Sequence, residues 1–192
     1  MGKWLKFNLL FILIGFAIAA PSVSQEHERL ASLYIDQAES SYDRGDAERA
    51  YQLLLSALRF MPDNSDAHFL LARLHSRQPG GLYAAVDRCR EALASNVWNR
   101  YSSLNCSVLL ADLLVRTGQF GEADTVLRDF PPGSDPGADY YRVKAQAIVG
   151  VGNTAEAVQL LERALRRHPA NAALKQHLLR LSPAYRRKLT DE

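Results

Sequence analysis

Arg44-Gly45-Asp46-Ala47-Glu48-Arg49-Ala50, followed by Leu54, Ala57-Leu58 and Pro62, carries the pattern that decides the fold. It returns as Val151-Gly152-Asn153-Thr154-Ala155-Glu156-Ala157, followed by Leu161, Ala164-Leu165 and Pro169, at one fixed offset. Thr117-Gly118-Gln119-Phe120-Gly121-Glu122-Ala123 is a third copy, its Gly118 lying 34 residues before Gly152. A fourth copy, Gly81-Leu82-Tyr83-Ala84-Ala85 through Ala92-Leu93, fits with one residue inserted around Pro79-Gly80-Gly81. Self-similarity at a period of this length marks a chain of stacked supersecondary units.

Working outward, each copy reads as two amphipathic helices. Between the Gly and Pro marks lie stretches of about 12–18 residues with apolar positions every three or four. Ala50, Tyr51, Leu54, Ala57 and Leu58 form one such stripe. Gly ends a first helix by taking a left-handed conformation. Pro62 and Pro169 stop second helices, and Ser65 and Asn171 are the expected N-caps of the helices after them. This spacing predicts nine helices: four hairpins and a last helix over 172–181. Its Leu174, Leu178 and Leu181 share one face and would cap the apolar end of the stack.

The 34-residue period resembles the tetratricopeptide repeat, with small residues at positions 8, 20 and 27, Gly at 15 and Pro at 32. Counted from Ala31, the first repeat supplies Ala38, Gly45, Ala50, Ala57 and Pro62. Counted from Ala138, the last supplies Ala145, Gly152, Ala157, Ala164 and Pro169. The middle departs from the pattern, with Val97 at the closing Pro of repeat two and Phe130 at an Ala of repeat three. The resemblance implies an all-α, right-handed superhelix of about four helix-turn-helix repeats over 31–64, 65–98, 104–131 and 138–171. The domain as a whole would span 25–182, ahead of a basic tail over 183–192.

The same resemblance implies a concave groove for a peptide or a partner's helix. The family's groove positions fall on Ile35, Glu39, Tyr42 and Asp43; Phe69, Arg73 and Arg77; Val108, Asp112 and Arg116; and Arg142 and Gln146. The set mixes charge with apolar and aromatic residues, as a protein-facing groove should. The family's peptide-carboxylate clamp has Lys and Asn where this chain has Ile35 and Glu39, which argues against that ligand class.

The first residues obey another logic. Lys3 and Lys6 precede an apolar run, Phe7 to Ala20, that is shorter than the roughly 18–20 apolar residues of a membrane span. It ends in Ala17-Ile18-Ala19-Ala20-Pro21, whose Ala-x-Ala pattern suits cleavage after Ala19; Ser22-Val23-Ser24 offers a second site. A signal peptide over 1–19 and a periplasmic or extracellular destination are therefore expected. Retention of the segment would instead make an anchored assembly factor of an envelope complex. Its loss removes Lys3 and Lys6 and leaves basic and acidic residues equal at 21 each. Charge is uneven along the chain: Gln25 to Asp66 carries nine acids against four bases, and Arg163 to Lys188 eight bases and no acid. That balance does not point to nucleic acid, and ordinary helix-surface charge is the plain reading of the basic end.

Chemistry-bearing patterns are sparse, so no enzyme, cofactor or metal is expected. Gly150-Val151-Gly152-Asn153-Thr154-Ala155 imitates a dinucleotide fingerprint, but the preceding Tyr140 to Val149 has helical rather than strand spacing. His68 and His75 share a helix face without a carboxylate or Cys one turn away, which reads as a polar surface pair. Cys89 and Cys106 lie equidistant from the turn centred on Asn96 to Asn99. Two readings stand: a disulfide between facing helices, which export would permit, or two small apolar residues filling core positions.

Overall fold

The computed structural model describes residues 22–127 and 135–183. Among them are nine helices: α1 Val23–Asp43, α2 Ala47–Phe60, α3 Ser65–Arg77, α4 Leu82–Ser95, α5 Ser103–Arg116, α6 Phe120–Val126, α7 Ala138–Gly150, α8 Thr154–Arg167 and α9 Ala172–Leu181. The expected all-α stack of helical hairpins with a closing helix is the observed architecture. Consecutive helices pack as antiparallel pairs, and α3, α5 and α7 also touch one another in sequence. The signal segment, the residues after 183, and Phe130 with the Pro-rich stretch after it lie outside the described residues.

Capping chemistry sets the starts. Asp46, Asn64, Asn153 and Asn171 each accept a backbone N–H from the first turn of the helix they precede. Ser22 and Ser102 form reciprocal capping boxes with Gln25 and Asn105. The cap of α3 is thus Asn64, not Ser65. Ser65 is instead a buried first-turn residue whose hydroxyl donates to the Ala92 carbonyl and accepts from the Val97 N–H.

Two glycines dispose of the nucleotide-like motif. Gly152 has φ +91°, the left-handed conformation that ends α7, and Asn153 N–H then reaches back to the Ile148 carbonyl. Gly150 is required by space: a Cβ there would sit 2.1 Å from the Phe120 ring.

The core runs along the stack in two clusters, one around α1 to α3 and one from α3 to α9, with Tyr101 packed against both. Ala50, Ala57, Ala157 and Ala164 are at most 1% exposed, so the small residues of the repeat are where helices meet. A bulkier side chain there would overpack the contact at a cost of about 1–3 kcal/mol. Leu174 and Leu178 of α9 are fully buried against α7 and α8, joined by a buried His177 that the sequence did not suggest. His68 also departs from expectation. It is buried, with Nε2 2.8 Å from the Pro62 carbonyl and Nδ1 3.1 Å from Glu91.

Cys89 and Cys106 do meet across the α4–α5 interface, but as free, fully buried thiols rather than a disulfide. The Cys106 Sγ donates to the Cys89 carbonyl at 3.4 Å. The neighbouring thiol, and then burial, push the ionisation of Cys89 far upward, so its sulfur is held as the thiol.

Candidate partner-binding groove

Because α3, α5 and α7 lie side by side, the outward positions of these helices share one concave face. There Phe69 and Arg73 of α3, Val108 and Asp112 of α5 and Arg142 of α7 line a single cleft of about 390 Å³. Leu104, Asn105, Leu109 and the Pro136 to Tyr140 segment complete it. Five of the twelve residues expected at the groove therefore converge. Gln146 sits one turn beyond and accepts from Arg142 Nη1 at 3.3 Å. Asp112 holds the same guanidinium at 3.3 Å, which pins Arg142 across the cleft.

The first repeat behaves differently. Ile35 is 2% exposed and belongs to the core with Ala31, Ala38 and Leu54, so it is no groove residue. Asp43 is exposed at the end of α1. Phe69, expected to be exposed, is buried; it forms the floor of the cleft. Tyr42 is half-buried, with its hydroxyl enclosed and without a hydrogen-bond partner. Two guanidiniums cover its ring, Arg73 at 5.2 Å and Arg77 at 4.7 Å from the centroid. Arg116 donates to the Ser76 carbonyl at the end of α3.

What the helical periodicity could not reveal is the connection from α4 to α5. Asn96 to Ser102 interrupts the repeat and folds back over the start of α3. Asp66, 1% exposed, organises it: its carboxylate accepts the backbone N–H groups of Asn99, Arg100 and Tyr101 at 3.0, 3.0 and 3.2 Å. The loop thereby delivers two side chains onto the concave face of α1. Arg100 pairs with Asp36 and with Glu39, and Tyr101 donates to Glu39 while its ring lies tilted against Phe69, centroids 4.8 Å apart. Burial, then the bond to Glu39, push the Tyr101 phenol up to about 12, so it stays a donor. Burial works against the charge of Arg100, but the Asp36 and Glu39 carboxylates outweigh it and raise its pKa. The N-terminal half of the groove is therefore filled by the chain itself, and the open part is the cleft of α3, α5 and α7. Two aromatics in an insertion between repeats, Trp98 and Tyr101, were the available signal.

Among the described residues no group of three or more His, Cys, Asp or Glu is placed to hold a metal, and no helix is long and apolar enough to cross a membrane.

Residues 105–129 match the family model of the tetratricopeptide repeat. No curated protein sequence matches the chain. Among solved structures, MamA (residues 41 to the end) from Desulfovibrio magneticus RS-1 superposes with a TM-score of 0.67 at 19% identity, over 79% of this chain and 82% of that one. The pilF protein of Pseudomonas aeruginosa gives 0.66 at 21% identity, over 81% and 69%. YrrB, a TPR protein described as having an unusual peptide-binding site, gives 0.64 at 18% identity, over 81% and 79%. With the repeated hairpins, their buried alanines and the match of α5 and α6, this shows that the chain has the tetratricopeptide-repeat fold.

Proposed function

We propose that this chain is a non-catalytic adaptor that holds a segment of another protein in the cleft formed by α3, α5 and α7. The carrying observation is the convergence of Phe69, Arg73, Val108, Asp112 and Arg142, from three successive first helices, on one opening. An apolar floor with a few fixed polar groups suits a side chain presented by a peptide or helix. That YrrB is described as having a peptide-binding site is consistent with this use of the fold. We further propose that the chain is exported, on the short apolar run and Ala-x-Ala site of its N-terminus, and works in the periplasm or outside the cell.

The test compares native protein with Val108→Glu. Val108 is part-exposed on the cleft wall, so a carboxylate there blocks the opening while the fold stays intact. Co-purification and then mass spectrometry should recover a protein with the native chain and lose it with the variant, at an unchanged melting temperature. A partner retained by Val108→Glu moves the binding surface elsewhere. N-terminal sequencing of the native protein decides between export with cleavage and an anchored chain still beginning at Met1.

A further inference from the structure

Three guanidiniums gather beside the cleft without a carboxylate to neutralise them. Arg73 and Arg77, one turn apart on α3, stand over the same Tyr42 ring, and Arg73 also lies 5.9 Å from the Phe69 ring in the cleft floor. Arg116, at the end of α5, bonds the carbonyl of Ser76, the residue next to Arg77. None of the three forms an ion pair among the described residues. Arg29, Arg88, Arg90, Arg100 and Arg142 on the same molecule each do. Two acids of the same face are committed elsewhere. Glu39 gives one oxygen to Arg100 and the other to Tyr101, and Asp112 holds Arg142.

The donors are correspondingly idle. A guanidinium has five N–H groups, yet Arg73 uses one on the Tyr101 hydroxyl, at 3.4 Å, and Arg116 one on Ser76. Arg77 and Arg116 occupy the last turns of their helices, where the macrodipole offsets only part of a full positive charge. The shared contact with the Tyr42 ring holds Arg73 and Arg77 beside each other before any ligand arrives. Guanidiniums suit carboxylates, which each can hold through two parallel hydrogen bonds.

We propose that Arg73, Arg77 and Arg116 select an acidic peptide segment, with Asp or Glu side chains beside an apolar residue that enters the cleft. The apolar residue would meet Phe69, Leu104, Val108, Leu109 and Tyr140. This inference rests on the cleft as the binding site and adds the chemistry of the partner. The strip lies at the ends of α3 and α5, whereas the family's carboxylate clamp positions are held here by buried Ile35 and loop-bound Glu39.

The experiment uses the chain from residue 20 onward and three sets of short fluorescein-labelled peptides, each with a central Leu or Phe. The flanks are Asp and Glu in one set, Asn and Gln in the second, and Lys in the third. Fluorescence anisotropy should show the acidic set binding at least about tenfold tighter than the amide set. The advantage should shrink at high salt and vanish in Arg73→Gln/Arg77→Gln/Arg116→Gln, checked for native helicity and melting. Equal binding of acidic and amide peptides overturns the proposal, as does an acidic preference that survives in the triple variant. So does a fluorescent oligothymidylate that outcompetes every peptide, since the strip would then serve nucleic acid. Val108→Glu separates the two readings. If the native chain binds acidic and amide peptides equally and Val108→Glu abolishes both, the cleft stands and the acidic selection falls. If it leaves acidic binding intact while the triple variant loses it, the selection stands and the cleft falls.

Discussion

Arg100 reaches back across the concave face to Glu39, its Nη1 2.9 Å from the carboxylate, although 61 residues separate them in the chain. This contact ties the inter-repeat loop to α1. Both side chains are roughly one-third exposed or less, so the pair is neither freely solvated nor dry. A double-mutant cycle with Arg100→Ala and Glu39→Ala should give a coupling of about 1 kcal/mol in urea unfolding. A coupling indistinguishable from zero would mean that the Arg100–Glu39 pair does not hold the loop, leaving it to Asp66, the Asp36 pair and the Tyr101 ring.

Asp66 carries the larger effect. Asp66→Asn keeps the shape but turns one oxygen into a donor facing backbone N–H groups, so at least one buried hydrogen bond is lost. The expected destabilisation is about 1–3 kcal/mol, read as a lower urea midpoint. A variant as stable as the native chain would show that the loop does not need the carboxylate.

Tyr42 predicts the opposite sign. Its enclosed hydroxyl has no partner, so Tyr42→Phe removes a desolvated polar group and keeps the ring under Arg73 and Arg77. Stability should be unchanged or raised by up to about 1 kcal/mol. A fall of that size in thermal unfolding contradicts the assignment.

His177 makes the closing helix sensitive to acid. Burial, then the charges of Arg180 and Arg142, lower its pKa from 6.5. The unfolded chain therefore binds the proton first, and stability is lost as pH falls through about 6.5. Melting curves should show this loss, and His177→Leu should reduce it. An unchanged pH slope in the variant assigns the effect to another group.

The two thiols give a covalent check. With Cys89 and Cys106 free and fully buried, a thiol reagent should react slowly with native protein and label both cysteines after denaturation without reductant. Denatured protein that shows no free thiol would establish the disulfide in their place.

Cleavage after Ala19 would leave the Ser22–Gln25 capping box of α1 whole, whereas cleavage after Ser24 would remove its Ser22. That cap is worth about 1 kcal/mol, so Ala20 is the more favourable start for a stable α1.

The sequence by itself determined the architecture: the Gly45, Gly118 and Gly152 turns, the alanines of each helix contact and the leucines of α9. These are local or periodic properties, and helix spacing translates them directly into a buried stripe. It also placed Phe69, Arg73, Val108, Asp112 and Arg142 on one face, because equivalent positions of stacked helices coincide in space. Only the tertiary structure decided which part of that face stays open. Ile35 turned inward because α1 packs its apolar side against α2. Glu39 was taken up by Arg100 and Tyr101, whose loop depends on three backbone N–H bonds to Asp66. Such long-range pairings leave no period in the sequence, since they depend on where a loop lands after the helices have stacked.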